Sequence, residues 1–358
     1  MNESASTGMS EHETTNEIAW ALEAVGRVRS EVHNVIVGQE SVLDEVLLTM
    51  VCGGHAVVEG VPGLAKTLLI STLAKCLSLQ FSRIQFTPDL MPSDITGTEV
   101  IEEDRSTGMR SLRFVRGPIF ANIVLADEIN RTPPKTQAAL LESMQERQVT
   151  VGGITHKLSN PFFVLATQNP IEQEGTYSLP EAQLDRFMLN IRIGYPNEQQ
   201  EFEIVARTTG ETIFEAKPVL NAMDLIRIQS AVRRIPVADH VVRYALRLVR
   251  ATRAGEQESH SNEPTQKIIK DYVSWGGGPR ASQFLVLAAK AKALFSGELH
   301  VLPKHIQEVA LPVLRHRIVT NFNAEADGVN SDTVVQTLLN SIPLDSASNQ
   351  RPLGTLIK

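Results

Sequence analysis

Apolar residues recur at helical spacing from Ile18 to Val32, and again in the stretch that follows VIVGQE and ends near Val51, which predicts two amphipathic helices. The pattern then shortens. HAVVE (His55 to Glu59), Leu79 to Gln85, IVLA (Ile123 to Ala126), FFVLA (Phe162 to Ala166) and MLNIRI (Met188 to Ile193) are brief apolar runs that read as strands. Lys66 to Ser78 and Lys135 to Glu146 lie between them with helical periodicity. Strands that alternate with helices predict a parallel sheet covered on both faces, hence an α/β core. Two segments break the rhythm. Thr98 to Phe114 has two strand arms around Asp104–Gly108, and QVTVGGITHKL has Gly152 and Gly153 between alternating arms, so each predicts a β-hairpin. After Tyr195 and Pro196 the strand signals stop. The rest predicts helices to about Ile342, the last of them capped by Ser331.

Composition narrows the picture. A chain of 358 residues exceeds one ordinary core, and 42% hydrophobic with 21% charged residues is a globular balance. The expected domains are a mobile acidic tail at 1–16, an α/β core at 17–196, a helical domain at 197–343 and a C-terminal tail at 344–358. The formal charge is −7, so no global positive field favours a nucleic-acid coat. The first 26 residues hold Glu3, Glu11, Glu13, Glu17 and Glu23 and no Lys or Arg, which is unlike the basic start of a targeting peptide. Cys52 and Cys76 lack metal or redox spacing and fit reduced thiols in a cytoplasmic protein. No apolar run approaches the length of a membrane span.

The chemistry concentrates in short motifs. GVPGLAKT, Gly60 to Thr67, follows a predicted strand and opens a predicted helix, the setting of a phosphate-binding loop. Its backbone N–H groups would cradle phosphates, Lys66 would reach the β and γ groups, and the Thr67 hydroxyl would ligate Mg²⁺. Ala65 departs from the general pattern, which has Gly there, and the loop alone also fits an ordinary Gly-Pro turn before a helix. IVLADE places Asp127 and Glu128 at a strand end, where open parallel sheets bind ligands. Asp127 would hold the metal and Glu128 would activate water. ATQNP offers Asn169 as a contact for the γ-phosphate or the attacking water, although Asn before Pro also starts turns. Arg186 is either a surface charge or a cation supplied to a neighbouring subunit's site. Arg280 follows Pro279 in the first turn of a helix, against the helix dipole, which points to a nearby anion. Arg243, Arg247 and Arg250 share one helix face, read as solvated or intersubunit.

Taken together, GVPGLAKT, GPIFANIVLADEINRTPPKTQAALLESMQERQVTV, PFFVLATQNPIEQEGTYSLPEAQLDRF and the late PRA and VLRHRI resemble the MoxR-type AAA+ ATPases over roughly Val35 to Ile342. In that family Ala65 is a regular feature. The resemblance implies an AAA+ P-loop core, with a parallel sheet flanked by helices and carrying β-hairpin insertions, followed by an all-α lid. It implies ATP and Mg²⁺ as ligands and a homo-oligomer, usually a hexamer, with ATP at subunit interfaces. Gly60, Pro62, Gly63, Leu64, Ala65, Lys66, Thr67 and Leu68 then contact nucleotide as Walker A, and Asp127 and Glu128 are Walker B. Asn169 is sensor 1, Arg186 the arginine finger acting in trans, and Arg280 sensor 2. Val37 and Gly38 resemble the segment beside the adenine, and Gln85 or Thr87 would couple substrate state to Glu128. The two hairpins resemble the helix-2 insertion and the pre-sensor-1 hairpin. Such proteins act with a von Willebrand factor A domain partner to remodel or mature client complexes, including metal-cofactor insertion. The rival readings are a nucleic-acid-dependent motor and a nucleotide-dependent switch with little turnover.

Overall fold

The computed structural model describes residues 11–103, 108–170, 175–210, 214–254 and 263–344. Its elements begin with helices α1 (Glu11–His33) and α2 (Glu40–Cys52), followed by β1 (Ala56–Glu59), α3 (Lys66–Cys76), β2 (Phe81–Gln85) and α4 (Pro92–Thr96). Then come β3 (Gly97–Glu103), β4 (Arg110–Arg116), β5 (Ile123–Asp127), α5 (Pro134–Glu146), β6 (Gln148–Val151), β7 (Ile154–Lys157), β8 (Phe163–Gln168), α6 (Glu181–Leu184) and β9 (Leu189–Arg192). The remainder comprises α7 (Glu198–Thr208), α8 (Ala222–Arg234), α9 (Asp239–Arg250), α10 (Glu263–Tyr272), β10 (Val273–Trp275), α11 (Pro279–Phe295), α12 (Pro303–Leu314), β11 (Val319–Thr320), α13 (Phe322–Ala326) and α14 (Ser331–Ser341).

Five strands form a parallel sheet in the order β2-β5-β8-β1-β9. Ala56, Val57 and Val58 of β1, Ile123 to Ala126 of β5 and Phe163 to Thr167 of β8 are all buried, as expected of strands covered on both faces. Polar residues appear only where these strands end. Register pairs Gln85 with Asp127 and Glu59 with both Gln168 and Arg192, so the chemistry-bearing side chains share the carboxyl edge of the sheet. One core cluster joins Val57, Val124, Val164 and Phe187 to Leu140, Leu141 and Met144 of α5. Each such side chain contributes about 1.5–3 kcal/mol of transfer free energy when fully buried.

Both predicted hairpins form. β3 pairs with β4 from Gly97↔Arg116 to Glu103↔Arg110, and β6 with β7 through Gly152 and Gly153, whose φ values of 58° and 81° suit a tight two-residue turn. The tip expected at Asp104–Gly108 lies outside the described residues apart from Gly108. The hairpins meet where Phe114 stacks on His156, with ring centroids 4.1 Å apart.

The chain divides into two compact units, one made of residues 28–225 and 315–317, the other of 1–27, 226–314 and 318–358. Residues 197–225 therefore stay with the α/β unit, a different division from a cut after residue 196. Hydrogen bonds explain this: Arg207 donates to the His33 carbonyl, the Lys217 amide donates to Glu31, and the Val219 and Leu220 amides donate to Cys76 O. The other unit is helical, with α11 packed on α9 and α12, and α12 on α14. It is not purely α, because β10 and β11 pair antiparallel. Strands of three and two residues are too short to leave a periodic signal. Two further expectations shift. α1 already starts at Glu11, inside the stretch expected to be mobile, because its polar residues can extend a helix that Ile18 onward anchors. Asn330, one residue before Ser331, caps α14 by accepting from the Thr333 amide at 2.9 Å.

Candidate active site

The loop after β1 is held from both sides. The Gly60 amide donates to Gln168 O at 3.3 Å, and a Cβ at Gly60 would stand 2.9 Å from Ile193 O, so the residue must be small. Gly63 (φ 86°) and Ala65 (φ 54°, ψ 22°) are left-handed, and α3 begins at Lys66. Successive turns of this kind, ahead of helix N–H groups without intrahelical acceptors, make a concave anion site. The left-handed conformation costs a residue with a Cβ about 1–2 kcal/mol, and Ala65 carries that strain. Leu64 is buried and anchors the loop, while Pro62, Gly63, Ala65 and Leu68 are exposed and Thr67 is half-buried. Lys66 Nζ donates to Gly60 O at 2.6 Å. Burial pushes the Lys66 pKa down, and the charges of Asp127 and Glu128 pull it partly back. Val37 and Gly38 lie beside this loop, since the next residue, Gln39, donates its side-chain amide to Leu64 O at 3.0 Å. Gly38 (φ 68°) faces α7, where a Cβ would meet Gln200 Nε2 at 2.7 Å.

At the end of β5 the carboxylates are bound to groups that no motif named. The Thr167 hydroxyl donates to Asp127 Oδ1 at 2.6 Å, and its oxygen accepts the Glu128 amide at 2.8 Å. Arg83 reaches Asp127 Oδ2 through Nε (3.1 Å) and Nη2 (2.7 Å), and Nη2 also donates to Gln85 Oε1 at 2.6 Å. Gln85 in turn donates to Glu128 Oε2 at 2.7 Å, where Arg131 also donates at 2.9 Å. Of the two residues expected to couple substrate state to Glu128, Gln85 is hydrogen-bonded to it, and the Thr87 carbonyl accepts the Thr132 hydroxyl. Glu128 has φ 58° and ψ 48°, a strained conformation that its amide bond to Thr167 helps hold. Asn169 is buried, one residue beyond β8.

These donors suit a hard divalent cation: a carboxylate and a hydroxyl, Asp127 and Thr67, are the oxygen ligands Mg²⁺ takes. The Arg83 guanidinium seated on Asp127 shows that this carboxylate accepts positive charge from its surroundings. Two predicted residues lie on other elements. Arg186 follows α6 on a turn closed by its own amide to Gln183 O, and its side chain is half-exposed. Arg280 is in the first turn of α11 in the helical unit, after the N-cap Gly278 and Pro279. Thr167 was within reach of sequence reasoning, being part of ATQNP. Arg83 and Arg131 carried no signal, since their role depends on the register of β2 against β5 and on the turn after β5.

Among the described residues no helix is long and apolar enough to cross a membrane. Residues 55–189 match the family described as ATPase family associated with various cellular activities (AAA), and residues 265–338 match the AAA lid domain. The chain is 43% identical to Chaperone MoxR1 of Mycobacterium tuberculosis over 91% of its own length and 84% of that protein. It is 39% identical to the uncharacterized protein YeaC of Bacillus subtilis, over 89% and 94% of the two chains. A crystal structure from Cytophaga hutchinsonii superposes with a TM-score of 0.85 at 40% identity, covering 95% of this chain and all of that one. With the phosphate-loop geometry, the paired carboxylates and relatives similar along nearly their whole length, the chain belongs to the MoxR-type AAA+ ATPases.

Proposed function

We propose that the protein hydrolyses ATP to ADP and phosphate at interfaces of a homo-oligomeric ring, a hexamer, and uses the cycle to remodel or mature client protein complexes. The observation that carries this reading is the gathering of Lys66, Asp127 and Glu128 at one sheet edge, with Glu128 held by Gln85 and Arg131. In this reading the N-terminus of α3 and Lys66 bind the phosphates, and Val37 and Gly38 flank the adenine. Thr67 and Asp127 hold Mg²⁺, which when bound neutralises charge on the transferring phosphoryl group. Glu128 orients a water and accepts its proton, Asn169 positions that water through its amide, and Arg186 of a neighbouring subunit and Arg280 balance developing negative charge. The chaperone name of the mycobacterial relative supports the remodelling role. A von Willebrand factor A domain partner, metal-cofactor insertion as one client process and a cytoplasmic location complete the proposal.

The nucleic-acid motor loses ground at the first hairpin, where Arg110 pairs with Glu103 and Arg113 with Glu102. The switch reading draws on the same clamps that hold Asp127 and Glu128. Glu128→Gln separates the readings. We expect nucleotide binding to persist, measured with a fluorescent ATP analogue, while phosphate release falls at least about 100-fold. Turnover equal to the parent's would remove Glu128 as the base and favour the switch.

A further inference from the structure

Three consecutive residues, Arg315, His316 and Arg317, follow α12 in the sequence yet belong to the α/β unit. All three are bonded to the segment that carries Arg186. The Arg317 side chain is 1% exposed. Its Nε donates to Asp185 Oδ1 at 2.8 Å, Nη1 to Met188 O at 3.2 Å, and Nη2 to Asp185 O at 3.0 Å and Phe187 O at 2.6 Å. His316 Nε2 lies 3.1 Å from Phe187 O. Burial first, and the adjacent Arg317 charge second, hold the His316 ring neutral, so it serves as an uncharged donor to that carbonyl. Arg315 donates to Asn190 O at 3.2 Å, and the Asn190 amide donates to Glu59 Oε1 at 2.7 Å, one residue before the phosphate loop.

The acceptors lie on both sides of Arg186, whose own side chain takes no part in these bonds. Burying a guanidinium is costly unless its donors are met, and a planar fork with several fixed acceptors leaves the bonded backbone little freedom. Lysine has a single flexible ammonium and cannot satisfy the same set. We propose that Arg317, supported by Arg315 and His316, is a positioning residue: it clasps residues 185–190 so that Arg186 is presented in one fixed direction to the site of the neighbouring subunit. The inference rests on the proposed trans role of Arg186.

The test mixes full-length variants under conditions where subunit exchange is verified, and reads ATP hydrolysis. Arg317→Lys alone should bind a fluorescent ATP analogue within about twofold of the parent and lose hydrolysis by at least about tenfold, as expected of a misdirected catalytic group. Mixed with Lys66→Ala, which has an intact Arg186 and a broken pocket, it should recover turnover. Mixed with Arg186→Ala, which has an intact pocket and no finger, it should not. A role in the nucleotide pocket of its own subunit gives the reverse pattern, and that pattern overturns the clasp. Equal recovery with both partners, or undiminished hydrolysis by Arg317→Lys alone, also overturns it. If Arg317→Lys does not fold, Asp185→Asn, which removes the charged acceptor and leaves the carbonyls, must show the same asymmetry. The control pair Lys66→Ala with Arg186→Ala isolates the premise: failure there fells the trans role of Arg186 and the clasp with it, whereas recovery there with a reversed Arg317 pattern fells the clasp alone.

Discussion

Thr167 is 1% exposed and its hydroxyl oxygen joins both carboxylate-bearing residues, so Thr167→Val is the most informative single change to the site. Valine has nearly the same shape and neither donates nor accepts. Asp127 Oδ1 loses a donor, worth about 1.5–3 kcal/mol for a hydrogen bond to a charged group, and the Glu128 amide loses its acceptor, worth about 1 kcal/mol. The extra buried methyl returns about 0.8 kcal/mol, leaving a net loss of roughly 2–3 kcal/mol. Both tryptophans, Trp20 and Trp275, are in the helical unit, so their fluorescence reports the wrong part of the chain. Native-state hydrogen exchange at the slowest amides of β5 and β8 is the suitable assay. At 1.4 kcal/mol per tenfold, exchange should speed up by about 30- to 140-fold. Thr167→Ser keeps the hydroxyl and should stay within about tenfold of the parent. Exchange in Thr167→Val within threefold of the parent, or a serine variant as damaged as the valine one, would refute the bridging role.

Two further outcomes follow from the core. The buried His55 accepts the Val164 amide at 3.0 Å, and burial, followed by the Arg147 charge, pushes its pKa from 6.5 down to about 4. The unfolded chain therefore takes up this proton first: the stabilisation is complete above about pH 6.5 and is lost progressively down to about pH 4, a span of about 3 kcal/mol. His55→Gln should flatten the decline of urea midpoints between pH 7 and pH 4, and an unchanged decline would contradict the assignment. At the root of the first hairpin, a Cβ on Gly117 would stand 2.2 Å from Ile95 O and 2.5 Å from Gly97 N, both backbone atoms. Gly117→Ala should loosen β3 and β4 by about 1–3 kcal/mol and hasten proteolysis there, whereas parent-like resistance would show that the backbone absorbs the clash easily.

The fold was legible where information is local. Apolar runs such as Ile123 to Ala126 encode buried strands, and Gly152-Gly153 encodes a turn, because each conformation is decided by a few adjacent residues. The turn of residues 60–65 into α3 was readable for the same reason, and the positive φ of Ala65 explains why the general pattern prefers glycine there. Asp127 and Glu128 were readable as a pair, but their partners were not. Arg83 meets Asp127 across 44 positions and Arg317 meets Asp185 across 132, and an arginine in isolation carries no mark of its partner. The unit boundaries were hidden as well, since Glu31 and Cys76 tie residues 217–220 to the α/β unit through backbone bonds that leave no compositional trace.

The interleaved chain order has a consequence for biosynthesis. A ribosome releases residues 28–225, with the loop of residues 60–67, both carboxylates and Arg186, long before Arg315, His316 and Arg317 emerge. Until then Asp185 and the carbonyls of Phe187 and Met188 lack the donors that hold them in the finished protein. A polypeptide interrupted anywhere within residues 226–314 would carry the loop of residues 60–67 but not the bonds that brace the Arg186 turn. Translation order thus delays completion of that turn until most of the helical unit has also been made.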